Sequence, residues 1–149
     1  MKSPPNICRV VNLACLLLFA AFAWLQREDD NPVIYEDPSM LDVWIWVAFY
    51  ALVAMAFGLA AAGKFPLPLY GVIAAFCLYQ MVVTGPGIWT NLTGEQGFEM
   101  TKTSMAPQRA HVEQSREFFG AVIALAAVGF LWWQRSSASQ NHKDPVENP

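Results

Sequence analysis

Apolar residues in this chain gather into long runs, and nearly all the charges fall between them. The runs cover about 7–26, 41–63, 65–84 and 117–134. Roughly 20 apolar residues cross the hydrocarbon core of a bilayer as a helix. Each run therefore predicts a membrane-spanning helix. The fourth is short once its charged edge is removed, so Glu117 and Gln134 are expected at the two surfaces, or the bilayer thins to meet them. The pattern is all-α: a four-helix transmembrane bundle with antiparallel neighbours.

The segments between the runs set the connections. Residues 1–6 form a polar leader carrying Lys2. Lys2, Arg9 and the small-x-small triplet Ala21-Phe22-Ala23 would suit a cleaved secretory signal, but the further apolar runs and Trp24 as an interfacial anchor favour a retained first span. Residues 27–41 are acidic and hold Pro32 and Pro38, which keeps them out of the membrane; Ser39 or Asp37 is placed to cap the second helix. Trp44 and Trp46 are expected at interfacial depth. Gly63-Lys64-Phe65-Pro66-Leu67-Pro68 reads as a tight turn, with glycine ending one helix and prolines opening the next. Gly85-Pro86-Gly87 is expected to close the third span. A polar stretch, 88–116, follows, with a short surface helix near 106–115. Residues 135–149 are rich in Ser, Asn and charge and read as a disordered tail, so the membrane domain is 7–134.

Composition sharpens this reading. Hydrophobic residues make up 55% and charged residues 14%, where soluble domains carry about 25% charged. The net charge of −3 and the lack of a basic stripe exclude nucleic acid as a partner. Cys8, Cys15 and Cys77 lie in or beside apolar runs, form no metal-ligand spacing and predict space-filling roles. Four spans put both termini on one side, together with Lys2, Arg9, Lys64, Arg135 and Lys143. The other side holds Arg27, Lys102, Arg109, Arg116 and most of the acids. The bias of lysine and arginine toward the cytoplasm predicts both termini inside (N-in, C-in), with the acidic loop and 88–116 outside.

Ion pathways need ionisable groups deep in the bilayer, and the four runs hold none at depth. The intramembrane polar side chains are Asn12, Gln26, Tyr50, Tyr79 and Gln80, read as helix–helix hydrogen-bonding groups. The densest polar cluster is His111-Val-Glu113-Gln-Ser-Arg116-Glu117, at the start of the fourth run. In a helix Glu113 neighbours Arg116 and Glu117. With Asp37 and the other acids of the first loop, these residues form either an outer-face metal or acid–base site or an ion-paired helix start in which Arg116 clamps a neighbouring loop. A zincin motif needs two histidines, and His111-Val-Glu113 supplies one. No catalytic residue, resident metal or cofactor is assigned. Ala54, Gly58 and Ala62 form a small-residue stripe suited to close helix packing, and Asn91-Leu92-Thr93 is a glycosylation sequon.

Two sets of residues in the same order carry a family likeness. The first is Arg9-x-x-Asn12, then Gln26, an Asp37-Pro38 loop and Trp46-x-x-x-Tyr50. The second is His111-x-Glu113-x-x-Arg116-Glu117-x-x-Gly120. Together they resemble the transmembrane protein 220 family of small multi-span proteins, over about residues 9–130. In that family the glutamine runs almost directly into Asn-Asp-Pro; here 27–36 reads as an insertion, with Glu36-Asp37-Pro38 in that place, and the loop after the third span is longer. The resemblance implies a polar outer cluster but no reaction. The expected role is that of a structural or interaction subunit, non-enzymatic, with the lipid bilayer and other membrane proteins or a second copy as partners. The alternative is an outer-face enzyme or metal-handling site built from His111, Glu113, Glu117 and the acidic first loop.

Overall fold

The computed structural model describes residues 6–28, 39–94, 98–100 and 110–140. Its helices are α1 (Asn6–Leu25, prolonged by a 3-10 turn at Gln26–Glu28), α2 (Met40–Ala61), α3 (Leu67–Thr93) and α4 (Ala110–Gln140). All four are long and apolar enough to cross a membrane, and no strand occurs among the described residues. At about 1.5 Å per residue, α1 matches a hydrocarbon core of about 30 Å, whereas α3 and α4 extend past it.

Local chemistry explains the helix ends. Ser39 caps α2, accepting from the Asp42 amide at 3.4 Å, and Asp42 sits in the first turn, where the helix dipole favours an anion. At the other end Gly63 adopts φ 75°, a left-handed conformation that a side chain disfavours. Lys64 N then donates to Leu59 O and Gly63 N to Ala60 O, a Schellman closure that satisfies the terminal carbonyls. Pro68 lies in the first turn of α3, where no amide is missed.

Two expected boundaries are corrected where α3 meets α4. Gly85-Pro86-Gly87 does not end the third span; Pro86 lies inside α3, which continues to Thr93. The residues 110–116, expected outside the fourth span, are its first two turns. Both changes have one cause. The last turns of α3 and the first turns of α4 pack together, with Gly87, Asn91, Val112 and Ser115 all buried. At Gly87 a β-carbon would collide with the Cβ and side-chain oxygen of Gln114, so the glycine read as a breaker is what lets the two helices approach. Packing overrides local propensity here, and membrane proteins tolerate an internal proline where neighbours support the helix. Arg135–Gln140, expected in a tail, also continue α4; 141–149 lie outside the described residues.

The tightest pairings are α1 with α2 and α3 with α4. Although a tight turn joins α2 to α3, large side chains separate their axes: Phe76 of α3 meets Phe49 at 4.6 Å and Trp46 at 5.9 Å between ring centroids. The core sets aromatic rings among small residues: Phe19, Trp46, Phe49, Tyr50 and Phe57 are buried beside Val53, Ala54, Ala56 and Ala60. Phe19 of α1 stacks on Phe57 of α2 at 5.8 Å. Because lipid is as apolar as the core, such packing and interhelical hydrogen bonds hold the bundle rather than water exclusion. The small-residue stripe serves this packing: a β-carbon at Gly58 would contact Leu16 of α1. Cys77 is fully buried and fills space.

Candidate functional site

At the end of the bundle where α2 and α4 begin, two polar ladders face each other. On α2, Asp42, Trp46 and Tyr50 recur every four residues and share one face. On α4, Glu113 and Glu117 stand four residues apart, with Gly120 three further on, on the same face. Trp46 is 2% exposed, turned into the bundle, and its indole nitrogen donates to Glu117 Oε1 at 2.9 Å. Trp44, two residues earlier, is the one that faces outward. Glu117 is half-buried. One ligand oxygen from each of Asp42, Glu113 and Glu117 lies within 4.8 Å of the others. Asp42 and Glu117 share a hydrogen bond, so one proton between them relieves the repulsion that three ionised carboxylates would feel in a partly desolvated site; a cation would relieve it equally. Below them Tyr50 closes against Gly120, where a β-carbon would collide with its hydroxyl.

Arg116 faces a different neighbour. Its Nε donates to Met100 O at 3.0 Å, so it clamps the connection between α3 and α4; whether it reaches the first loop lies outside the described residues. Asn91 reinforces the same connection. Its Nδ2 donates to Glu99 O at 2.8 Å and to Ser115 Oγ at 2.9 Å, and its Oδ1 accepts from Glu99 N at 2.9 Å. Asn91 is 1% exposed, which corrects its reading as a glycosylation site: the acceptor nitrogen is buried and engaged. An open groove of about 340 Å³ runs beside Arg116, with Phe22, Gln26, Tyr50, Phe119 and Ile123 among its walls.

The sequence-predicted site residues therefore divide. Glu113 and Glu117 converge, and Arg116 lies next to them on α4. His111 is half-buried; its carbonyl accepts from Ser115 Oγ at 2.6 Å, and its imidazole is not among the converging ligand atoms. Asp37 and the acids at 29, 30 and 36 lie outside the described residues. Asp42, read as a dipole partner, and Trp46, expected at interfacial depth, also take part in the cluster. Their four-residue spacing, matched by that of Glu113 and Glu117, is the signal that would have paired them.

Of the deep polar residues, Asn12 finds the most specific partner. Its Nδ2 donates to Gln134 Oε1 at 3.0 Å, and Gln134 Nε2 returns a bond to Asn12 Oδ1 at 2.9 Å. Both residues are buried within the bundle, so Gln134 is spent on this tie. Gln80 is buried, and its carbonyl accepts from Thr84 Oγ1. Tyr79, expected to bond between helices, is instead 62% exposed on the outside of the bundle.

The family model for transmembrane family 220, helix, matches residues 18–133. The chain belongs to that family. It is an integral, multi-pass member, and the match takes in the polar ladders of α2 and α4 together with the groove. No curated protein and no solved structure matches the chain.

Proposed function

We propose that this member of transmembrane family 220 is a non-enzymatic structural or interaction subunit, with both termini cytoplasmic and the Asp42–Glu117 end outside. One observation carries the reading: the buried side chains of Asn12, Asn91, Ser115 and Gln134 are spent on ties within the bundle. Polar groups used in this way hold a shape and line no path. Gly58 packs against Leu16 within the chain, and the outward side of α1, where Val10 and Leu17 are exposed, is one apolar face on which a protein partner would pack. Native mass spectrometry of the protein extracted gently from its own membrane tests this. A defined assembly that Leu17→Trp disperses supports the reading; a monomer in every extract overturns it.

A second reading, a cation-handling site, rests on the convergence of Asp42, Glu113 and Glu117. Oxygen-only ligands suit hard cations such as calcium. Under this reading, roughly millimolar calcium raises the thermal midpoint of the detergent-solubilised protein, and Glu117→Gln abolishes the rise. No calcium effect on the unsubstituted protein would end this reading.

A further inference from the structure

Tyr70, in the first turns of α3, carries a hydroxyl that the bundle does not use. The residue is 1% exposed, and its hydroxyl has no hydrogen-bond partner among the described residues. Buried hydroxyls nearly always have one, and phenylalanine would fill the same space without desolvating an O–H. The Arg135 guanidinium of α4 lies near enough for its charge to act on that hydroxyl. Arg135 is half-buried, one turn beyond the fully buried Leu131 on the same face of α4. No carboxylate or carbonyl ties its side chain among the described residues. A guanidinium can only donate, so what both groups lack is an acceptor. The surroundings favour an anionic one. Arg9 and Lys64 are exposed at this end, and the described acids belong to the other end. Trp132 and Trp133, exposed just before Arg135, mark headgroup depth.

We propose that Arg135 and Tyr70 receive a phosphate group, the guanidinium through its fork of donors and the hydroxyl by donating to a phosphate oxygen. The phosphate comes either from a lipid headgroup of the leaflet at this end or from the adjoining water; the recognising chemistry is the same. Arg135 has a long side chain without another tie, so it is the wall that turns aside to admit the group. Once seated, the anion satisfies a hydroxyl that otherwise stands desolvated, and the low local dielectric strengthens both bonds. The site lies at the opposite end of the bundle from Asp42 and Glu117 and is independent of the scaffold reading.

Two measurements on the full chain in detergent test this: native mass spectrometry with dioleoyl phosphatidylglycerol and dioleoylglycerol as probes, and thermal unfolding titrated with inorganic phosphate. Retention of one phosphatidylglycerol, on the order of tenfold above dioleoylglycerol, assigns the phosphate to a lipid. A rise in thermal midpoint with inorganic phosphate that chloride at equal ionic strength does not reproduce assigns it to the free ion. Whichever effect is seen is expected to vanish in Arg135→Gln and to fall several-fold in Tyr70→Phe. Tyr70→Phe removes only the hydroxyl, so the ligand-free variant is expected to unfold at the parent's temperature or above it. Neither effect in the parent overturns the proposal, as does an undiminished effect in Tyr70→Phe. A lower midpoint of ligand-free Tyr70→Phe also overturns it, by giving the hydroxyl a partner inside the bundle, such as an enclosed water. So does a loss in Lys64→Gln as large as in Arg135→Gln, which would show attraction to this basic end without a site.

Discussion

The indole nitrogen of Trp46 donates to Glu117 across 2.9 Å and 71 residues of sequence, tying the start of α2 to the start of α4. Hydrogen bonds to charged groups are worth about 1.5–3 kcal/mol when buried. Trp46→Phe keeps an aromatic ring in the core but removes the donor, so a loss in that range is expected. Glu117→Gln keeps an acceptor for the indole and removes one of three neighbouring carboxylates, so its stability is expected to match or exceed that of the parent. Thermal unfolding in detergent separates the two. A loss with Glu117→Gln as large as that with Trp46→Phe would show that the acid's charge matters, and not its acceptor.

Asn12 and Gln134 form a reciprocal amide pair between α1 and α4. Asn12→Leu leaves a buried amide without its partner, and Gln134→Leu does the same from the other side. Each is expected to cost about 1–2 kcal/mol, the upper range for interhelical hydrogen bonds in membranes. Replacing both residues by leucine removes the unsatisfied group as well as the bond, so the double variant is expected to be more stable than either single one. A double-mutant cycle on steric-trap or denaturant unfolding measures the coupling. Strictly additive losses would show that the two amides do not act as a pair.

The spans were legible because lipid demands long apolar helices, and the runs at 7–26, 41–63, 65–84 and 117–134 declare them. The Ser39 cap and the Gly63 turn were legible because each is a local device. What the sequence concealed depends on partners distant in the chain. Gly87 looks like a helix breaker until Gln114 is known to pack on it. Asn91 looks like a glycan acceptor until Ser115 and Glu99 enclose it. The candidate site was half visible: Glu113 and Glu117 stand out in a charged run, whereas Asp42 has an adequate local role as a helix-start anion, and only its four-residue spacing from Trp46 points it at α4.

Gly87 is where α3 and α4 come closest to excluding a side chain. A methyl group there would overlap the Cβ of Gln114, which cannot swing away as the tip of a long side chain can. Gly87→Ala is therefore expected to destabilise the protein by about 1–3 kcal/mol, the usual range for overpacking, even though alanine favours a helix. Gly71 offers the control, since no atom lies within 4 Å of a β-carbon built there. Gly71→Ala is expected to be neutral or stabilising in the same thermal assay. The same outcome at both positions would remove close approach as the reason for Gly87.

Asn91 joins three features with one amide: the end of α3, the segment at Glu99, and Ser115 of α4. Asn91→Asp preserves shape but replaces the two-donor nitrogen with an acceptor, facing a carbonyl and a hydroxyl that already donates to His111 O. One buried unsatisfied group costs about 1–3 kcal/mol, so a loss at least that large is expected. Limited proteolysis should then cut between α3 and α4 well before the parent is cut, because the clamp on Glu99 is weakened. The same burial predicts that glycosidase treatment of protein made in a eukaryotic host leaves its gel mobility unchanged. A glycan on Asn91 would require the amide to leave Ser115 and Glu99, and would place this end of α3 in a different conformation.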